Sequence, residues 1–176
     1  RVVVSTDCNI IAEISENYGA EVIIRPECLA EDTTPTLPVI QNVINRINGK
    51  FDAVMTLQPT SPLRTAKHIN EAIELFRDDK LADSLVSVIE VPHNYIPEKL
   101  MSFDGRYLSG NLEVKRRQDT DIKYARNGAA IYITKIQRLS EYLFGGRIIP
   151  YFMHKIDSFD IDDEIDLFIV SRIMNG

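Results

Sequence analysis

The sequence is poor in features that mark secreted, membrane-spanning or nucleic-acid-binding proteins. Its 176 residues include no tryptophan and two cysteines, Cys8 and Cys28, which form neither a CxxC pair nor a disulfide framework. No apolar run approaches the length of a membrane span. The net charge of −6 lacks the basic excess typical of nucleic-acid binders. We therefore expect a cytoplasmic protein that has neither a membrane nor a nucleic acid as its partner.

Apolar residues alternate between short continuous runs and helical spacing. The runs at 2–4, 21–24, 53–57 and 84–88 predict strands, and the spacing of Ile10, Ile11, Ile14 and Tyr18 predicts a helix between the first two strands. This alternation predicts an α/β fold with three α/β/α layers around a mainly parallel sheet. At this length we expect one domain spanning residues 1–176.

The alternation is interrupted between residues 90 and 125, where the chain is polar. Turn signals occur at Asp104-Gly105 and at Ser109-Gly110, and Phe103 and Tyr107 flank the first of them as in a hairpin. We interpret this segment as an excursion from the sheet, built from irregular structure and short strands. A strand at 129–134, a short helix at 137–143, a strand at 148–153 and a final helix complete the prediction.

The segment "LQPTSPLR", residues 57–64, follows one predicted strand and precedes a predicted helix whose candidate cap is Thr65. In an open α/β sheet, ligands bind at the carboxyl ends of the strands. Gln58 supplies an amide there, Ser61 a hydroxyl and Arg64 a guanidinium. A rigid strand-to-helix connection with a polar surface explains the same residues equally well, so both interpretations stand.

Two further segments carry cationic and amide groups. Arg117 lies in "RRQ", and Arg126 and Asn127 lie in "ARNGAAIYI". The arginines suit a carboxylate or a phosphate. A solvated basic loop would explain the arginines without a ligand, and a tight turn would explain Asn127-Gly128.

The segment "FDIDDEIDL" collects acidic residues before the last predicted helix. Asp162 is a candidate N-cap, with Asp163 and Glu164 facing the helix dipole. The stripe that would pack this helix consists of Ile165, Phe168, Ile169 and Ile173. Capping leaves Asp160 unexplained. In an extended segment Asp160 and Asp162 would share a face, and a divalent cation would relieve their repulsion. From these residues alone, capping and metal binding both remain open.

Five motifs together resemble the acylneuraminate cytidylyltransferases, also called CMP-sialic acid synthetases: "VVVSTD", "RPECLAEDT", "LQPTSPLR", "RNGAAIYI" and "FDIDDEIDL". The resemblance runs from Val2 to the final helix, and "LQPTSPLR" is similar to the branch that activates sialic and legionaminic acids. "RNGAAIYI" departs slightly, since the family usually has one alanine after Asn-Gly. The resemblance implies a nucleotide-diphospho-sugar transferase-like fold.

The resemblance implies that CTP and a nonulosonic acid react to give the CMP-sugar and pyrophosphate. It makes Asp160 and Asp162 the catalytic Mg²⁺ ligands and leaves Asp163 at the helix start. It implies supporting roles in the loop for Ser61 and Arg64, and a homodimer formed through residues 90–125. The substrate-binding residues that it implies are Gln58, Lys99, Arg117, Arg126, Asn127 and Tyr132, with Lys99 and Arg117 reaching across the dimer interface.

The resemblance also implies a basic, glycine- and serine-containing phosphate-binding segment upstream of Val2, so we expect the printed chain to be incomplete for activity. Two other classes of protein are alternatives to a cytidylyltransferase. A GT-A glycosyltransferase also has an Asp-x-Asp site, but normally in mid-chain. A dimeric sugar- or nucleotide-binding module without catalysis is the second alternative.

Overall fold

The computed structural model describes residues 1–112 and 116–176, and the chain divides into two compact units. The first unit comprises Arg1–Val54 and Thr134–Gly145, and the second comprises Met55–Ile133 and Gly146–Gly176. The prediction of a single domain stays a prediction.

The first unit begins with a βαβ arrangement. Its elements are β1 (Val3–Thr6), α1 (Asn9–Asn17), β2 (Glu21–Ile24) and α2 (Thr36–Arg46). Strands β1 and β2 pair in parallel, from Val3 opposite Glu21 to Thr6 opposite Ile24. The short apolar runs are therefore strands connected by a helix, as the alternation predicted.

Helix α1 forms where its spacing predicts, but its large apolar side chains do not form the core. Ile10, Ile11 and Ile14 are 70%, 50% and 53% exposed, whereas Ala12 is buried. Helical spacing identifies residues that share a face, and it does not identify what covers that face.

Among the described residues, five of the remaining strands form one sheet, and the other two pair only with each other. The elements that follow α2 are β3 (Ala53–Thr56), α3 (Ala66–Asp78), β4 (Ser84–Glu90), β5 (Met101–Phe103), β6 (Leu108–Gly110), β7 (Tyr124–Arg126), β8 (Tyr132–Lys135), β9 (Ile148–Phe152) and α4 (Glu164–Asn175). The strand order of the five-stranded sheet is β3-β8-β4-β7, with β9 also paired with β4, and the separate pair consists of β5 and β6. The boundary between the two units falls within β3 and β8.

Strand β4 carries the core of the second unit. Its first four residues, Ser84 to Ser87, are all buried, as expected for a strand covered on both faces. It pairs with β9 in parallel and with β7 antiparallel. The loop before β8 contributes the buried residues Ala130 and Ile131.

Helix α3 begins with the cap that the sequence predicted. The Thr65 hydroxyl accepts the His68 backbone N–H at 3.4 Å, and His68 Nδ1 accepts the Thr65 N–H at 3.2 Å. This reciprocal capping box satisfies two donors at the helix start. The helix directly follows the "LQPTSPLR" loop, so the cap fixes where that loop ends.

The excursion contains the expected hairpin, but the helix predicted at 137–143 does not form. Strands β5 and β6 pair antiparallel, with Phe103 opposite Leu108. Residues Ile136–Arg138 instead make one 3-10 turn. The Thr134 hydroxyl donates to the carbonyl of Leu143, which closes the segment as a turn within the first unit. Among the described helices, none is long and apolar enough to cross a membrane.

Candidate active site

In the second unit, the "LQPTSPLR" loop and the acidic segment before α4 are joined by hydrogen bonds. The Ile161 backbone N–H donates to the Thr60 carbonyl at 2.8 Å. The Ser61 hydroxyl donates to Asp160 Oδ1 at 3.2 Å, and Ser61 is fully buried. Ser61 and Asp160 are 99 residues apart in the sequence, so these hydrogen bonds join two distant segments into one site.

Arg64 holds the loop in shape. Its guanidinium donates to the Ala130 carbonyl and to the Gln58 carbonyl, each at 2.8 Å. Burial lowers the pKa of Arg64 from its ordinary value, because the charged form loses hydration. One side chain thus links both ends of the loop to the segment before β8.

Gly128 lies directly against the carboxyl group of Asp160. Its φ is +65°, in the left-handed region that favours glycine. A Cβ built there would be 2.3 Å from Asp160 Oδ2 and 2.7 Å from its Cγ. The Asp160 carboxyl therefore occupies space that any other residue at position 128 would fill.

Asn127 is buried, and its amide bonds to neighbouring protein groups. Its Oδ1 accepts the Ser87 hydroxyl at 2.7 Å, and its Nδ2 donates to Ser158 Oγ at 2.9 Å and to Met153 Sδ at 3.3 Å. These bonds connect β4 to the segment that leads to Asp160. The substrate contact suggested for Asn127 stays a prediction, and what the geometry shows is a bracing role.

Arg126 and Tyr132 interact near Asp160. Burial raises the pKa of the Tyr132 hydroxyl, the positive charge and hydrogen bond of Arg126 lower it, and the negative charge of Asp160 raises it. The hydroxyl therefore stays protonated and can donate a hydrogen bond at neutral pH. The structure brings together three of the predicted site residues, Asp160, Tyr132 and Arg126.

The cap of α4 is Asp163, which corrects the assignment of Asp162 as the candidate N-cap. Asp163 Oδ1 accepts the backbone N–H groups of Ile165 and Asp166 at 2.8 and 2.9 Å. The Asp162 backbone N–H donates to Asp166 Oδ2 at 3.1 Å. The helix begins at Glu164, one residue later than a cap at 162 requires. Capping therefore uses the Asp163 side chain, and it accounts for neither Asp160 nor the exposed carboxylate of Asp162.

The predicted apolar stripe of α4 is not the face that packs. Ile165 and Phe168 are 68% and 60% exposed, whereas Val170 is buried. The buried face is centred on a residue outside the predicted stripe. Most of the helix is apolar, so spacing alone did not select the packing face.

The donor set suits a hard cation that keeps several ligands not supplied by the protein. Asp160 and Asp162 offer carboxylate oxygens, which hard cations prefer. Within residues 1–112 and 116–176, no group of three or more His, Cys, Asp and Glu side chains is placed to hold a metal. Mg²⁺ commonly binds through one or two carboxylates and keeps water and phosphate oxygens as its other ligands. Asp160 and Asp162 therefore fit Mg²⁺ whose remaining ligands are water or phosphate oxygens.

For the other three predicted substrate-binding residues, the described part of the chain shows no hydrogen bond or ion pair with Asp160. Gln58 is half-buried, and its side-chain amide has no hydrogen-bond partner among the described residues, so it can bind a ligand. Lys99 is exposed in a 3-10 turn of the excursion. Arg117 begins another 3-10 turn, and its side chain lies outside the described part of the chain.

Sequence reasoning missed two features. His68 Nε2 lies 3.7 Å from Asp157 Oδ2, which connects the start of α3 to the turn just before the acidic segment. In the first unit, a cleft of about 450 Å³ is lined by Ile24, Arg25, Pro26, Asn42 and Arg46. Buried Arg25 Nε and Asn42 Oδ1 have no partners among the described residues. Arg25 follows β2 directly and opens the "RPECLAEDT" motif, and these two features were the signals in the sequence.

A family model described as Cytidylyltransferase matches residues 1–172. The chain is 32% identical to an N-acylneuraminate cytidylyltransferase of Escherichia coli, over 98% of this chain and 42% of that protein. It is 32% identical to a CMP-N,N'-diacetyllegionaminic acid synthase of Legionella pneumophila, over 99% of this chain and 78% of that protein. A Post-translational flagellin modification protein B of Campylobacter coli is also 32% identical, over 99% and 77%. The chain thus spans less than half of the first relative.

Solved structures share the fold. A CMP:2-keto-3-deoxy-manno-octonic acid synthetase complexed with CTP superposes with a TM-score of 0.71 at 15% identity, over 99% of this chain and 80% of that one. A 4-diphosphocytidyl-2C-methyl-D-erythritol synthase from Anaerococcus prevotii has a TM-score of 0.62 at 10% identity, over 100% and 79%. These similarities confirm the predicted α/β nucleotidyltransferase-like fold.

Proposed function

Because the chain belongs to the cytidylyltransferase family, we propose that it activates a nonulosonic acid, sialic acid or a relative, with CTP. The anomeric hydroxyl oxygen of the sugar forms a bond to the α-phosphorus of CTP. The bond between that phosphorus and the bridging oxygen of pyrophosphate breaks, and the hydroxyl proton leaves to solvent. The products are the CMP-sugar and pyrophosphate. The relatives named for sialic and legionaminic acid activation support this choice of sugar.

The observation that carries the proposal is the pairing of Asp160 with the "LQPTSPLR" loop through Ser61. It places a carboxylate that suits a cation beside a loop that suits a sugar. We propose that Asp160 and Asp162 hold Mg²⁺. When bound, Mg²⁺ would neutralise negative charge on the phosphates of CTP. The chain contributes mainly by orienting the two substrates.

We propose that Gln58, Tyr132 and Arg126 contact the sugar. Gln58 offers a free amide, Tyr132 a protonated hydroxyl, and Arg126 a positive charge for the sugar carboxylate. Arg64 and Asn127 hold these groups in place through the backbone and through β4.

The two cysteines, which form no disulfide, support a reducing cytoplasmic location.

Pyrophosphate release is the direct test of this function. With the full-length protein, CTP and Mg²⁺, release should depend on an added nonulosonic acid, and a panel of such sugars should identify the preferred one. CTP should be preferred over the other nucleoside triphosphates in the same assay. Binding of both ligands without release would favour the non-catalytic binding module, and release from a nucleotide-sugar donor would favour a glycosyltransferase.

We also propose that residues 90–125 form a homodimer interface. All six residues of β5 and β6 are exposed, among them Met101, Phe103 and Leu108. An isolated two-stranded hairpin is marginally stable in water, so an apolar hairpin of this kind needs a cover. In a homodimer, the apolar hairpin of a second copy would cover the hairpin of the first.

Replacing Phe103 with aspartate should convert the dimer to a monomer, because the charge would be buried against an apolar partner. Light scattering at working concentration measures the change in mass. Glu16→Asp on exposed α1 is the matched control and should stay dimeric. A wild-type protein that is monomeric in this measurement would contradict the proposed assembly.

A further inference from the structure

We infer that Gly128 is a positioning residue for the cation site and sets the orientation of the Asp160 carboxylate. This inference rests on the proposed function, in which Asp160 holds Mg²⁺. Gly128 was interpreted from sequence only as part of a tight turn. In the structure it is the surface on which the Asp160 carboxyl lies, with both oxygens and Cγ within 3.1 Å of the place where a Cβ would stand.

The backbone around Gly128 is held on both sides. On one side the buried amide of Asn127 bonds to Ser87 and Ser158. On the other side the Ala129 carbonyl accepts the Gln58 backbone N–H at 3.0 Å. Because these bonds involve buried or backbone groups, the main chain at position 128 has little freedom to retreat from a new side chain.

The Asp160 side chain is the part that can move. One of its oxygens, Oδ1, is held by the Ser61 hydroxyl, and the other, Oδ2, lies nearest the missing Cβ of Gly128. The backbone after Asp160 is tied to Thr60 through the Ile161 N–H. A methyl group at position 128 would therefore rotate the carboxylate away from Ser61 and would leave the strand core in place. Loss of a group that orients a metal ligand typically weakens metal affinity by about ten- to a hundredfold.

The test uses Mn²⁺ as the probe and requires no turnover. Binding is followed by the loss of the electron paramagnetic resonance signal of free Mn²⁺ in wild-type protein, Asp160→Asn and Gly128→Ala. Asp160→Asn should lose binding, and Gly128→Ala should bind about tenfold more weakly. If Gly128→Ala binds Mn²⁺ as tightly as wild type while Asp160→Asn has lost Mn²⁺ binding, the inference about Gly128 is wrong and the proposed metal site still stands. Wild-type affinity in Asp160→Asn would contradict the metal assignment of the proposed function.

Gly19→Ala is the matched control. Gly19 also has a positive φ, +83°, but nothing lies within 4 Å of its missing Cβ. It therefore carries the same kind of backbone strain without the contact, and Gly19→Ala should bind Mn²⁺ like wild type. An equal loss of affinity in both glycine variants would show that strain, and not the carboxylate, causes the effect.

Ser61→Ala keeps the inference testable if Gly128→Ala does not fold. It removes the hydroxyl that holds Asp160 Oδ1 and adds no atoms, so it introduces no clash. It should also weaken Mn²⁺ binding by about tenfold. Unchanged Mn²⁺ affinity in Ser61→Ala would show that the orientation of the carboxylate does not control the site.

Discussion

Asp160→Asn and Asp162→Asn should each reduce kcat by about a hundredfold or more, the size of losing one strong transition-state contact. Asparagine keeps the shape of the side chain but removes the charge that binds a hard cation. The helix cap is Asp163, so neither substitution removes a capping bond. Thermal stability should hardly change, and without Mg²⁺ it should rise slightly because carboxylate repulsion is relieved.

Asp163→Asn is the control for these variants. Asparagine caps a helix about as well as aspartate does, so kcat and stability should stay close to wild type. Asp163→Ala should lose about 1 kcal/mol of stability while retaining activity. Kinetics at limiting Mg²⁺ measure the difference. Near-normal kcat in both Asp160→Asn and Asp162→Asn would contradict the metal site.

Arg64→Ala should raise the KM for the sugar by about tenfold or more, because small displacements of positioning groups carry large kinetic costs. The substitution removes the side-chain donor to the Ala130 and Gln58 carbonyls, and among the described residues the Gln58 carbonyl keeps only the Ser61 backbone N–H at 3.3 Å. An unsatisfied buried carbonyl, such as that of Ala130, costs about 1–3 kcal/mol. The loop that carries Gln58 would then lose its shape, and the unfolding temperature should fall.

Arg64→Lys separates charge from geometry. Lysine keeps the positive charge but cannot reproduce the rigid fork of a guanidinium that donates to two carbonyls. It should therefore raise the sugar KM to a value between wild type and Arg64→Ala. Steady-state kinetics with each substrate varied in turn measure the effect. A stability loss without any change in the sugar KM would show that the loop does not bind the sugar.

The sequence alone determined the class of fold and the family. Periodicity of two kinds predicted α/β alternation, because strands and helices repeat their apolar residues at different intervals. The motifs from Val2 to the last helix indicated the family, and the family match over residues 1–172 confirms it. The cap at Thr65 and the hairpin near Asp104 were also predicted, because local hydrogen-bonding and turn chemistry decide both.

The tertiary structure alone decided which residues share an environment. Gly128 contacts Asp160, which lies 32 residues later in the sequence, and no local sequence pattern predicts that contact. Spacing predicted apolar faces on α1 and α4, yet Ile10 and Phe168 are exposed because packing depends on neighbours distant in sequence. The Ile161 N–H bond to Thr60 ties the chain before α4 to the loop, and the helix then begins at Glu164 with Asp163, not Asp162, as its cap. Local chemistry specifies elements, and long-range contacts choose their ends, their faces and the site they build.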